Sequence, residues 1–111
     1  MKNKESKKNL KVYISLPITG FDVDERKERA MQTEVHLKGL GYDTYNPLGK
    51  DWVEGLTYQE YMRIGLEELM KCDVIYMLQG WHLSNGCGVE LRVATSIGLE
   101  VWFENIELVK L

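Results

Sequence analysis

The feature that most constrains the fold of this chain is a regular alternation of short apolar segments with longer amphipathic ones. Four runs rich in β-branched and aromatic residues, at positions 10–16, 42–45, 73–78 and 99–103, predict β-strands. Between them, apolar residues recur every three or four positions, which predicts amphipathic helices. The order β-α-β-α-β-α-β favours a parallel sheet with right-handed crossovers and helices on both faces.

The first two predicted helices have recognisable start signals. Asp22 with Glu25 three residues later matches a capping box, and it opens a helix that runs to about Leu40. Thr57 with Glu60 matches a second capping box. The buried side of that second helix is predicted to consist of Tyr58, Tyr61, Met62, Gly65, Leu66 and Leu69.

The expected architecture is a three-layer α/β fold, flavodoxin-like or Rossmann-like, with strand order 2-1-3-4. The segment Ile106–Leu111 offers a short fifth edge strand or a subunit contact. In this order the switch point lies between the first and third strands, and ligands bind beyond the carboxyl ends of those strands. These ends are the segments SLPITG, at positions 15–20, and QGWHLSNG, at positions 79–86.

Composition excludes several classes of function. A length of 111 residues fits one domain, which we expect to span residues 10–111 after a disordered polar tail at 1–9. A net charge of −3 without a basic stripe does not indicate nucleic-acid binding, and no apolar run reaches the roughly 18–20 residues of a membrane helix. Cys72 and Cys87 lack the spacing of a disulfide framework or a zinc site. We therefore expect a cytoplasmic protein with reduced thiols, no metal and no cofactor.

A glutamate at the head of an apolar helix face suggests a functional site. Val89, Val93, Ala94 and Ile97 share one face of the third predicted helix, and Glu90 stands on the same side. The helix dipole stabilises an acid in a first turn by about 0.3–1 kcal/mol, which is a purely structural explanation. A carboxylate turned toward the sheet also loses water, which raises its pKa, and such a group serves as a nucleophile or a base.

The glycine-rich turn before this helix is a candidate binding segment. Gly86 and Gly88 allow the backbone to approach a ligand closely. Ser84 or Asn85 is the expected N-cap, and the free amides at a helix start suit an anion or a hydroxyl group. A plain connection between strand and helix explains the same residues. The turn matches neither the Walker phosphate loop nor the dinucleotide fingerprint.

The end of the first strand should form the opposite side of the site. Tyr13 and Ser15 alternate onto one face of this strand, from which the Tyr13 hydroxyl can reach Glu90. A buried tyrosine with a satisfied hydroxyl is also an ordinary core residue. The candidate binding residues that follow on this strand end are Pro17, Thr19 and Gly20.

Further binding candidates stand at the tip of the third strand, namely Gly80, Trp81 and His82. Trp81 either stacks on a base or sugar or covers the edge of the core. His82 is a general-acid candidate by residue type, although a histidine in such a loop also commonly faces solvent. Cys87 precedes Glu90 at the helix start, and we interpret it as structural because no histidine partner is placed near it.

Four parts of the chain carry a resemblance to a known family: VYISLPITG, Asn46-Pro47, CDVIYMLQGWHLSNGCGVELRVA and GLEVW. Together they resemble the nucleoside 2-deoxyribosyltransferase-like superfamily, and within it a branch of short bacterial and phage proteins classed as DUF4406. The resemblance spans residues 11–103. It implies cleavage of the N-glycosidic bond of deoxyribonucleosides or their monophosphates by a glutamate nucleophile.

By this resemblance Glu90 is the nucleophile and Tyr13 orients it. Ser84, with Gly86 and Gly88, matches the spacing that holds a phosphate or a sugar hydroxyl in the family's nucleotide hydrolases. The resemblance also places Asn46, after the second strand, among the substrate-binding residues.

The chain departs from the superfamily pattern at two points. The arginine that grips phosphate after the first strand has no counterpart in PITG. Gly65 stands where the relatives carry an acid, with Glu67 and Glu68 only nearby, so the group that protonates the leaving base is unassigned.

These patterns favour an enzyme that acts on a nucleoside or nucleotide by hydrolysis or transfer. The alternatives are a non-catalytic module that binds a nucleotide or nucleoside derivative, or a domain in which Glu90 only bonds a sugar hydroxyl. We also expect a homo-oligomer, most simply a twofold dimer, because the second helix carries aromatic surface at Tyr58 and Tyr61. Met62 adds to this surface.

Overall fold

The computed structural model describes residues 9–104, and its centre is a parallel β-sheet. The strands are β1 (Lys11–Ser15), β2 (Asp43–Tyr45), β3 (Val74–Met77) and β4 (Glu100–Phe103). The helices are α1 (Val23–Gly39), α2 (Tyr58–Leu69) and α3 (Asn85–Ser96), with a 3₁₀ turn at Trp81–Leu83. None of the helices within the described residues is both long enough and apolar enough to cross a membrane.

The sheet has the predicted order. Its strands run β2-β1-β3-β4 and all neighbours pair in parallel, which confirms the α/β class and the 2-1-3-4 order. Ser15 at the end of β1 pairs with Met77 at the end of β3, so the segments after these strands leave the sheet at one edge. The proposed fifth strand at 106–111 and residues 1–8 of the tail predicted at 1–9 lie outside the described residues.

The two faces of the sheet bury different sets of side chains. Residues at alternate positions of β1, such as Val12 and Ile14, pack with Ala30 and Leu37 of α1. The opposite face of β1 carries Tyr13, which packs in a second cluster with residues of α2 and α3. Because side chains alternate along a strand, Ser15 points to this second face as well. Tyr13 and Ser15 therefore both face the layer formed by α2 and α3.

The helix starts follow the sequence signals in part. Thr57 and Glu60 form a complete capping box at α2, as predicted. At α1 the Asp22 carboxylate accepts from the Glu25 amide at 3.1 Å, but the Glu25 side chain pairs with Arg26 and does not return to the cap. Only half of the predicted first box is therefore present.

Two residues assigned to buried helix faces are exposed. Ile97 is 47 % exposed because α3 ends at Ser96, so that Ile97 is the C-cap and no longer follows the helical face. Tyr58 is 43 % exposed because it is the first residue of α2 and lines the open cavity, where its hydroxyl accepts from the Asn85 amide at 2.9 Å. Gly65 and Leu69 are buried, as predicted.

Candidate functional site

The centre of the site is the carboxylate of Glu90 on the first turns of α3. The Tyr13 hydroxyl donates to Glu90 Oε2 at 2.7 Å, and the Ser15 hydroxyl donates to Oε1 at 2.7 Å. The contact between Tyr13 and Glu90 expected from the sequence is thus confirmed. Two donors from a central strand, whose backbone is paired on both sides, fix the direction of the carboxylate.

Burial dominates the electrostatics of this group. Burial raises the pKa of Glu90 above its ordinary value, while the hydrogen bonds from Tyr13 and Ser15 lower it by less. Burial and the neighbouring Glu90 together hold the pKa of Tyr13 well above its ordinary value, so the phenol stays a neutral donor. The result is a desolvated carboxylate with neutral donors, which is more nucleophilic and more basic than a solvated one.

Helix α2 comes very close to this pair at Gly65. A Cβ atom built on Gly65 would lie 2.7 Å from Tyr13 Oη and 3.4 Å from Glu90 Oε2. The first distance is shorter than any normal contact, so only glycine leaves room for the hydrogen-bonded pair. Gly65 is therefore part of the site by virtue of the side chain that it lacks.

A cavity of about 880 Å³ opens beside Glu90 at the carboxyl edge of the sheet. This volume lies in the range of cavities that hold small organic ligands. The predicted site residues that line it are Tyr13, Pro17, Thr19, Gly80, Ser84, Asn85, Gly86 and Glu90. Ser84 is the N-cap of α3 and accepts from the Cys87 amide at 3.2 Å. Ser15 contacts the site through its bond to Glu90.

Five other candidates lie outside the lining of this cavity, namely Gly20, Asn46, Trp81, His82 and Gly88. The Asn46 amide donates to Glu34 at 3.1 Å, so this side chain ties β2 to α1. Trp81 packs against the second core cluster and the Phe103 ring, with centroids 5.7 Å apart. Trp81 therefore covers the edge of the core, and His82 beside it is exposed.

Cys87 lines the cavity, but its thiol is in an environment that lowers its reactivity. The side chain is buried, and burial raises the pKa of its thiol, so the reactive thiolate is disfavoured at neutral pH. This supports a structural role. Within the described residues, no group of three or more His, Cys, Asp or Glu side chains is placed to hold a metal ion.

Several cavity residues were not anticipated from the sequence. Arg26 and Arg29 line it from α1, and Asp51 and Trp52 line it from the loop between β2 and α2. The two arginines are one helical turn apart near the start of the helix that follows β1. The switch-point rule places the start of that helix beside the ligand, so the rule could have predicted these two arginines as cavity residues. The loop has no periodic pattern, so its contribution had no such signal.

The loop residue Trp52 forms an aromatic wall with Tyr61 of α2. Their rings stack with centroids 4.8 Å apart and planes at 5°. The Tyr61 hydroxyl donates to the Val53 carbonyl at 2.8 Å and accepts from the Leu56 amide at 3.2 Å, which fixes the loop. The indole Nε1 of Trp52 is buried without an acceptor among the described residues. The wall thus lines the cavity with flat aromatic surface.

Comparison with known proteins identifies a family without assigning an activity. No curated protein matches the chain. The family model described as "Domain of unknown function (DUF4406)" matches residues 10–103, which include every strand, every helix and every cavity residue described above. The chain therefore belongs to the DUF4406 family.

Proposed function

We propose that this protein cleaves the N-glycosidic bond of a nucleoside or nucleotide, with Glu90 as the nucleophile. The observation that carries the proposal is the Glu90 carboxylate, which Tyr13 and Ser15 hold at 2.7 Å each beside a cavity of about 880 Å³. The resemblance to the nucleoside 2-deoxyribosyltransferase-like superfamily supports the same assignment.

The reaction would proceed in two displacements. A Glu90 oxygen forms a bond to the anomeric carbon while the bond from that carbon to the base nitrogen breaks. The electron pair leaves with the base, which takes up a proton from solvent. Water then attacks the anomeric carbon of the glycosyl ester, returns a proton to solvent, releases the sugar and restores the carboxylate. A second base in place of water would make the protein a transferase. Both transition states resemble an oxocarbenium ion, which a fixed negative charge stabilises.

The surrounding residues have roles consistent with this chemistry. Tyr13 and Ser15 donate to Glu90 and orient it for attack. The Ser84 side chain and the backbone at the start of α3 lie where sugar hydroxyls would bind. The stacked rings of Trp52 and Tyr61 provide a flat surface for a nucleobase.

A second candidate function is binding without turnover. One observation favours it, because the position that faces the Tyr13–Glu90 pair from α2 is Gly65 and not an acid. The other carboxylate that lines the cavity within the described residues is Asp51, on an exposed loop. On this alternative, Glu90 would accept a hydrogen bond from a sugar hydroxyl.

The substitution Glu90→Gln separates the two functions. It keeps the size of the side chain and removes the attacking charge, so base release from deoxyribonucleosides and their 5′-monophosphates should fall by about three orders of magnitude or more. Glu28→Gln, on the exposed side of α1, makes the same chemical change away from the cavity and should keep full activity.

A second readout tests the covalent step. Intact mass spectrometry of the quenched wild-type reaction should detect a deoxyribosyl adduct, and this adduct should be absent from Glu90→Gln. Equal turnover by wild type and Glu90→Gln would exclude Glu90 as the nucleophile. Binding of nucleosides without release of base by either protein would establish the binding module instead.

A further inference from the structure

We infer that the cavity selects an uncharged nucleoside over its 5′-monophosphate, and that Glu25 is a residue that sets this preference. The inference rests on the proposed function for the class of ligand. Its own basis is the pairing of the two arginines that line the cavity, Arg26 and Arg29. These are the two cations that line the cavity among the described residues, and each is already bound to a carboxylate.

Arg26 is engaged at all three of its guanidinium nitrogens. Its Nε and Nη2 donate to the two Glu25 oxygens at 2.6 and 2.9 Å. Its Nη1 donates to the Pro17 carbonyl at 3.1 Å, and the guanidinium lies 4.5 Å from the centre of the Phe21 ring. Only 12 % of the Arg26 side chain is exposed. Carboxylates and phosphates share this bidentate geometry, so Glu25 occupies the edge of the Arg26 guanidinium that a phosphate would bind.

The charge of Arg29 is also neutralised by a carboxylate, that of Glu104 after β4. Arg29 forms an ion pair with Glu104 and donates to the Thr33 hydroxyl at 3.2 Å. Glu104 is held in place because its second oxygen accepts from the Gln79 amide, just after β3, at 2.7 Å. A carboxylate anchored to the backbone is harder to displace than one on a free side chain.

With both cations paired, the unpaired charge at the cavity is negative. It belongs to Asp51 and Glu90, the two carboxylates that line the cavity within the described residues. A phosphate monoester brings about −1.5 to −2 charges at pH 7, so it is repelled by this field. A neutral sugar with a free 5′-hydroxyl meets no such repulsion.

The experiment removes the carboxylate charge that neutralises Arg26 and measures the preference between nucleosides and 5′-monophosphates. Base release and dissociation constants are measured for the four 2′-deoxyribonucleosides and their 5′-monophosphates. The wild type should favour the nucleosides. Glu25→Gln removes the negative charge that neutralises Arg26 and should shift the ratio toward the monophosphates by roughly three- to tenfold, the effect of one partly exposed charge. Glu28→Gln is the matched control, because it removes the same charge from the same helix, and the hydrogen bond of Glu28 within residues 9–104 is the one it accepts from Gln32 at 3.4 Å.

The outcomes separate this inference from the proposed function. A wild-type preference for monophosphates, or equal shifts in Glu25→Gln and Glu28→Gln, would overturn the inference and leave N-glycosidic cleavage standing. Absence of base release from both classes would overturn the proposed function, and the dissociation constants would then decide the inference. Tighter binding of nucleosides supports it, while equal binding, tighter binding of monophosphates or no binding at all refutes it.

Discussion

The close approach of α2 to the carboxylate gives a quantitative prediction for Gly65→Ala. The added methyl group would lie 2.7 Å from Tyr13 Oη, well inside normal contact distance. The Tyr13 ring cannot move aside, because it is 1 % exposed and stacks on Tyr45 with centroids 5.4 Å apart. Helix α2 must shift, or the bond from Tyr13 to Glu90 must break.

Two opposing contributions set the size of the effect. Alanine is more favourable than glycine inside a helix by about 1 kcal/mol. Overpacking a tight core costs about 1–3 kcal/mol. Gly65→Ala should therefore lower the free energy of unfolding by about 0–2 kcal/mol. Gly88→Ala in α3 should raise it by about 1 kcal/mol, because a Cβ at Gly88 meets no atom of the described residues within 4 Å beyond its local backbone.

Urea denaturation of the two variants measures this contrast directly. The helix contribution cancels between them, so the free energy of unfolding of Gly65→Ala should lie about 1–3 kcal/mol below that of Gly88→Ala. Gly65→Ala should also lose base release, because the methyl group displaces the Tyr13 hydroxyl from Glu90. Equal stabilities of the two variants would refute the close packing of α2 on the site.

Two predictions concern pH and ligand contact. Burial raises the pKa of Glu90 above the ordinary value of about 4.3. Protonated Glu90 therefore makes its full contribution to the free energy of unfolding below that pH, and this contribution is lost as the pH rises through the folded-state pKa. The unfolding free energy of wild type relative to Glu90→Gln should fall across this interval in urea titrations, and a constant difference would contradict it. Trp52→Phe replaces the indole of the stacked pair beside the cavity with a smaller ring and should weaken nucleoside binding about two- to tenfold by calorimetry. Trp102→Phe, at a residue outside the cavity lining, should leave nucleoside binding unchanged. Equal nucleoside affinities of Trp52→Phe and wild type would exclude a contact between Trp52 and the ligand.

The fold and the centre of the site follow from local patterns in the sequence. Alternation along β1 put Tyr13 and Ser15 on one face, and helical spacing put Glu90 on the side of α3 that meets the sheet. The switch-point rule then predicted that the end of β1 and the start of α3 lie side by side. Each step used a periodicity of two or about 3.6 residues, which the backbone imposes on any sequence.

The walls of the cavity could not be predicted in the same way. Asp51 and Trp52 belong to a loop whose path depends on the hydroxyl contacts of Tyr61 in the following helix, and no periodic pattern in the sequence signals these contacts. The 3₁₀ turn after β3 decides the place of Trp81, since it carries the indole onto the core edge and away from the cavity. Such features depend on side-chain contacts between segments and not on the period of one segment.

The strongest reason to assign chemistry to this site is that two unfavourable residues meet there. Gly65 weakens the middle of α2, since a helical glycine costs about 1 kcal/mol relative to alanine. Glu90 places a carboxylate where burial raises its pKa, which opposes folding at neutral pH. The two are neighbours, because a Cβ on Gly65 would lie 3.4 Å from Glu90 Oε2. Neither choice improves the fold, and the glycine is needed only because the pair of Glu90 and Tyr13 occupies the space. Two neighbouring residues that each lower stability, beside a cavity, indicate that this position is selected for function and not for stability.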